Sequence, residues 1–261
     1  MAEKYNVLDQ KVTMSRRAFA KAAAAGSIVV LAPGCETVSQ AFTPSNEQMA
    51  QLAGSAWTDL KQQQPTTNDP KYTSRVRRVM PRIISAANEN PAGWEVEVFA
   101  SDDLNAFALP GGKIGFYTGI LDIMANDSQI ATVMGHEVAH VKFNHAGERY
   151  GRTAAAQAGL SVAQVALGDG GASQVALQAL GLGAQYGVIL PFSRQHELEA
   201  DRYGLRFMHR ANYDVDEAVR FWENMSSMKQ GEPPEFLATH PNDATRIAQL
   251  RQEIAVLKGG A

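Results

Sequence analysis

The sequence predicts a mostly helical α+β domain, a helical bundle with a small antiparallel sheet lying next to one central helix. Three observations lead there. Apolar residues recur at helical spacing through residues 45–64 and 70–89 and again in most of the chain beyond 127. Only the stretch 94–117 alternates or forms short apolar runs. A chain of 261 residues, 45% hydrophobic and 20% charged, has enough apolar material for one substantial core. The organisation that follows is a leader over residues 1–34, a linker over 35–44 and one domain over 45–261.

The leader reads MSRRAFAKAAAAGSIVVLAPGC from Met14 to Cys35, with two adjacent arginines, a phenylalanine two positions on and a modest apolar run ending in small residues. It resembles a twin-arginine export signal. The uncharged stretch 22–34 is shorter than the roughly 20 residues of a membrane span and has the length of a signal core. Cys35 follows Leu31-Ala32-Pro33-Gly34, a context similar to a bacterial lipoprotein cleavage site, and the expectation is lipidation there. A plain signal cut after Ser39-Gln40-Ala41, or an uncleaved anchor, is the alternative. An exported protein on the periplasmic side of a bacterial membrane, held by a lipid on Cys35, is the reading.

Within the domain, Val76, Val79, Met80, Ile83 and Ile84 mark one face of the second helix. Trp94, Val96 and Val98 alternate with Glu95, Glu97 and Phe99, and the runs 106–109 and 113–117 are separated by Pro110-Gly111-Gly112. A long helix is predicted from near Asp127, capped by Asn126 or Ser128, to about His145. Residues 153–193 hold a single charge, Asp169, and are interrupted by glycines, which favours two packed helices joined near Gly170-Gly171 over a bilayer span. A membrane-touching or substrate-gating role for them is the sharper alternative. Further helices are predicted at about 194–210, 215–229 and 241–257, with Asn212 and the run 231–234 as breaks.

Composition also excludes. A net charge of -3 argues against nucleic acid as a partner, and no repeat of fixed period runs through the chain. A single cysteine excludes an intramolecular disulfide framework and any multi-cysteine metal site, so a metal here must be held by His, Asp or Glu.

The central helix carries His136-Glu137-Val138-Ala139-His140. Two histidines four apart lie one turn apart on one face, so both imidazoles reach a single zinc ion while Glu137 is placed as general base toward a water. A catalytic zinc needs a third protein ligand. Periodicity separates the two glutamates of Ser193-Arg194-Gln195-His196-Glu197-Leu198-Glu199-Ala200-Asp201: Glu197 shares a face with Asp201, Leu205 and Met208, and Glu199 with Arg202, Arg206 and Arg210. Glu197 is the inward candidate ligand, with His196 as competitor. Asp201, one turn on, is placed to hydrogen-bond a ligating histidine. The face of Glu199 reads as solvated and ion-paired.

Four blocks, NAFALPGG (105–112), GHEVAHVKFNH (135–145), SRQHELEADRYG (193–204) and THPNDATRI (239–247), resemble the motifs of the gluzincin metallopeptidase family that contains HtpX and the CaaX prenyl endopeptidases. More narrowly, the chain resembles that family's small exported bacterial lipoprotein members. The resemblance covers about residues 45–257 and implies a zincin-like, minigluzincin domain with one Zn2+ per subunit. It also implies endopeptidase activity, with Glu197 as third ligand and Asp201 as its supporting acid. Two roles come mainly from the resemblance: His240, before Pro241, as oxyanion stabiliser and Arg246 as partner of active-site acids. It further implies that the edge strand Asn105, Ala106, Phe107, Ala108 and Leu109 holds an extended polypeptide by main-chain pairing, with weak side-chain preference. The functional expectation is a zinc endopeptidase of the bacterial envelope acting on extended or misfolded polypeptides, with assembly partners unnamed. The alternative is a zinc-binding envelope chaperone or assembly factor whose occluded site rarely cuts.

Overall fold

The computed structural model describes residues 40, 42–164, 192–228, 234–241 and 244–259. The leader and Cys35 lie outside the described residues, as does most of the low-charge stretch expected to form two helices. Helices α1 (Asn46–Gln63) and α2 (Pro70–Ala86) open the domain. Ser45 caps α1 through a reciprocal capping box with Gln48, and Asp69 caps α2 ahead of Pro70, so each helix begins where a side chain satisfies its free N–H groups.

The three strands are β1 (Glu95–Phe99), β2 (Ala106–Leu109) and β3 (Lys113–Tyr117), in the order β1-β3-β2. The sheet is small, as predicted, but mixed. β2 and β3 form an antiparallel hairpin, with Ala108 opposite Ile114, around Gly111 and Gly112 at φ of 83° and 76°. β1 pairs parallel with β3, Val98 opposite Phe116. Residues 100–105 carry the chain past the place next to β1 and tie down there, with Ser101 N–H and Gly119 N–H bonded across to Thr118 and Ser101. The hairpin therefore brings β3, not β2, beside β1. Residues 65–67 close the outer edge of β1 through Thr67 N–H to the Val98 carbonyl and a Thr66–Phe99 bridge.

A short helix α3 (Thr118–Asp122), absent from the sequence expectation, leads into α4 (Asp127–Lys142), capped by Asn126. The predicted helix to His145 is broken at Asn144, which takes φ 54°, and α5 (His145–Gln164) begins anew. Then come α6 (Arg194–Arg210), α7 (Asp216–Ser227), α8 (Glu235–Thr239) and α9 (Ala244–Gly259). Asn212 at φ 55° makes the expected break after α6.

Helix α4 is buried nearly all round and packs most extensively on α6, with α2 and α7 also against it. Where α4 and α6 cross, both chains are glycine. A Cβ on Gly135 would lie 3.0 Å from the Gly204 carbonyl oxygen, and one on Gly204 3.0 Å from the His136 nitrogen. The backbones thus approach so closely that even a methyl would need its neighbour to give by a few tenths of an ångström, immediately beside the His-Glu-x-x-His turn. The main core gathers Val79, Ile83, Phe116, Ile130, Val133, Met208, Phe221 and Trp222; each such burial is worth about 1.5–3 kcal/mol. A second cluster joins Met49, Trp57 and Leu60 of α1 to Phe99 and Tyr117 under the sheet.

Candidate metal centre

His136 and His140 project from α4 one turn apart and meet Glu197 from α6, each 3% exposed or less. His136 Nε2 and His140 Nε2 stand 3.0 Å apart. Glu197 places Oε2 3.5 Å from the first and Oε1 3.4 Å from the second. His240, at the end of α8, brings Nδ1 to 3.2 Å from His136 Nε2 and 3.1 Å from Glu197 Oε1. These four side chains form the one group among the described residues whose ligand atoms converge within 4.8 Å.

Three imidazole nitrogens and a carboxylate crowded together call for a cation between them. His136 turns Nδ1 to Asp201 Oδ1 at 2.9 Å, which leaves Nε2 as the nitrogen that faces the cluster and would ligate a metal there. Two ligands on a tetrahedral zinc with bonds of about 2.0–2.1 Å lie roughly 3.3 Å apart, and the separations here bracket that value. The donor set suits zinc.

Behind the donors stands a guanidinium. Arg246 is 1% exposed and binds Asp201 through two nitrogens, each at 2.7 Å, while its third reaches Glu197 Oε2 at 2.6 Å. Burial alone would push both carboxyls up, but the Arg246 charge, with His136, holds Glu197 well below the usual carboxylate range and lowers Asp201 too. Burial works against a charge on His136, yet Glu197 and Asp201 raise it to about 9 in the metal-free protein. Burial drives His140 well below its ordinary value, leaving it neutral. Trp222 covers this arrangement, its ring 5.8 Å from His136 and under the Arg246 guanidinium at 4.1 Å.

Glu137 faces the other way. Its Oε2 accepts the Ala108 N–H at 3.0 Å, its Oε1 lies 3.3 Å from His240 Nε2, and burial raises its carboxyl above the ordinary value. Ala108 can donate outward because Tyr117 N–H bonds the Asn105 carbonyl. That fixes the ladder so that Phe107 and Leu109 pair with β3, while the main-chain groups of Ala106 and Ala108 point away from it. The edge strand therefore lies alongside the donor set.

A model of peptidase family M48 matches residues 70–254. The chain belongs to peptidase family M48. Mitochondrial metalloendopeptidase OMA1 of Schizosaccharomyces pombe is 34% identical over 188 residues, 70% of this chain and 54% of its own length. The beta-barrel assembly-enhancing protease of Escherichia coli K12 is 30% identical over 222 residues, 82% of this chain and 44% of its own. Human mitochondrial OMA1 is 28% identical over 215 residues, 77% and 41%. The chain spans about half the length of the curated relatives it matches. Zinc, the metal of the M48 peptidases, fits the donors described.

In this M48 chain the sequence-predicted residues His136, Glu137, His140, Glu197, Asp201, His240 and Arg246 come together, with Ala106–Leu109 beside them. Asn105 sits one residue before the strand. His240 reaches further than expected, since its Nδ1 stands among the donors. His196, the competing ligand, is buried elsewhere, with Nε2 3.0 Å from Glu148 Oε2. Glu199 leaves Arg202 and Arg206 to Glu253 and instead meets His145 Nε2 at 3.1 Å. Helical periodicity gave its direction, but not that α5 begins there. Trp222 had no signal beyond an apolar helix face.

Proposed function

We propose that the protein is a zinc-dependent endopeptidase that cleaves extended or misfolded polypeptides in the bacterial cell envelope. One observation carries the reading: Glu137 stands between the His136, His140 and Glu197 donors and the outward main-chain groups of β2. In it, His136, His140 and Glu197 hold the metal. When bound, zinc lowers the pKa of water to about 7 and polarises a carbonyl.

The chain's own residues do the rest. Ala106 and Ala108 pair with an extended substrate, which fixes the scissile bond beside Glu137 and asks little of substrate side chains. Glu137 takes a proton from the attacking water and returns it to the leaving amine, helped by a carboxyl already raised by burial. His240 Nε2, on the Glu137 side, donates to the carbonyl oxygen as its charge develops. Asp201 holds the ring of His136, and Arg246 holds Asp201 and Glu197.

Export and lipidation at Cys35 belong to the same reading, on the strength of the arginine pair and apolar run ahead of that cysteine. Similarity to a beta-barrel assembly-enhancing protease supports envelope proteins as substrates. The purified protein is expected to degrade casein with zinc, and Glu137→Gln to keep zinc and stop cutting. Retained turnover in that variant overturns the mechanism. A palmitate analogue is expected to label the wild type and not Cys35→Ala.

A second reading, a zinc-binding envelope chaperone or assembly factor with little proteolysis, has one observation in its favour: the His240 Nδ1 stands where a fourth ligand would. A zinc-loaded wild type inert toward casein would select it.

A further inference from the structure

Asp201 stands behind His136, but His140 has no carboxylate at its outer nitrogen. Its Nδ1 lies 3.0 Å from Nδ1 of His145, the first residue of α5. With Nε2 of His140 turned to the donors, Nδ1 carries its hydrogen and needs an acceptor. His145 accepts only with a bare Nδ1, which puts its own hydrogen on Nε2. That Nε2 is 3.1 Å from Glu199 Oε2. One set of tautomers satisfies the whole line: His140 Nδ1–H to His145 Nδ1, and His145 Nε2–H to the Glu199 carboxylate.

The ring of His145 is also held in plane. His196 stacks on it at 4.3 Å with 8° between the rings and is itself tied to Glu148 and Arg152, and Phe143 flanks it at 6.1 Å. His145 is 1% exposed, whereas the Glu199 side chain is 46% exposed. A buried imidazole thus links a metal-facing histidine to a carboxylate at the surface.

We propose that His145 and Glu199 are positioning residues that fix the tautomer and ring orientation of His140 and so set how tightly it holds zinc. This rests on the reading of His140 Nε2 as a zinc ligand. His136 would then have its carboxylate directly behind it, and His140 would have one at the far side of a second imidazole. The break at Asn144 is what makes this possible, because a helix continued past Lys142 would carry His145 round the axis and away from His140.

The test is a zinc titration of the purified protein against a chromophoric chelator, with the visible spectrum of the cobalt-substituted protein alongside. His145→Leu is expected to weaken zinc roughly 10- to 100-fold and to shift the cobalt bands. His145→Gln, whose amide oxygen accepts the His140 hydrogen, is expected to recover most of the loss. Glu199→Ala should speed zinc release, and Glu199→Gln, which still accepts from His145, should restore it. Equal loss in His145→Leu and His145→Gln with unchanged melting temperatures overturns the proposal, as does wild-type affinity in His145→Leu. Should the buried variants fail to fold, the exposed Glu199 pair decides: zinc release at the wild-type rate from Glu199→Ala overturns it. A wild type that takes up no zinc sinks the metal reading with it; a zinc-binding wild type matched by every variant sinks this inference alone.

Discussion

The main-chain N–H of Ala108 donates to Oε2 of Glu137 across 3.0 Å, joining the edge of the sheet to the acid between the two helix histidines. The bond orients the carboxylate and leaves Oε1 facing His240. An arriving polypeptide that pairs with Ala108 must share or displace it. Substrate binding and the freeing of the base are therefore one event in the proposed reaction.

Glu197→Ala is expected to abolish stoichiometric zinc, since it removes the donor that α6 contributes. Glu199→Ala should remain stoichiometric at micromolar protein, its effect confined to affinity and release rate. Metal analysis after gel filtration checks both, and the reverse pattern would overturn the ligand assignment.

Arg246→Ala leaves Asp201 and Glu197 buried without their counter-charge. Breaking a buried ion pair from one side costs about 3–5 kcal/mol, so denaturant unfolding of the metal-free protein should show a loss of that order. Zinc should offset part of it, because a bound cation supplies charge to Glu197.

A pH effect is expected at Glu95. Slight burial raises its carboxyl, but Lys61 and Lys113, each at 2.9 Å, bring it down to about 2. A depressed folded value means the stabilisation is present above the ordinary carboxyl range and disappears as pH falls toward 2. The pair is more than a third exposed on the Glu95 side, so Glu95→Gln should cost only about 0–1 kcal/mol at pH 7. That difference should shrink steeply in melts between pH 7 and pH 2; a gap unchanged over that range would assign the loss to packing.

Gly204→Ala is expected to force α6 away from α4, because the new methyl would meet the His136 nitrogen at 3.0 Å. Overpacking of this kind costs about 1–3 kcal/mol, and here the displaced helix is the one bearing Glu197. Zinc affinity should fall together with stability, as a titration and a thermal melt on the same sample would show.

Much of the site was legible because its parts repeat at helical spacing. His136 and His140 four apart, and Glu197 and Asp201 four apart, each define an inward face without knowledge of the neighbouring helix. The sheet order was not legible, since pairing β1 with β3 depends on where Ser101 and Gly119 anchor the intervening loop. The break at Asn144 was missed for a related reason. Asn tolerates a left-handed conformation but does not demand it, and the surrounding pattern continued helically. The partner of Glu199 depended on that break. His240 was singled out only through resemblance, because one histidine before a proline has no periodicity of its own.

Residues 65–67 already occupy the outer side of β1, so among the described residues the sheet keeps one unpaired rim, along β2. Open rims invite self-association, chain adding to chain without limit. In this protein the vulnerable rim is turned inward over α4, with Ala108 bonded to a side chain in the interior. The hazard common to small sheets is confined to the place where, in the proposed reaction, an accepted foreign strand would be cut.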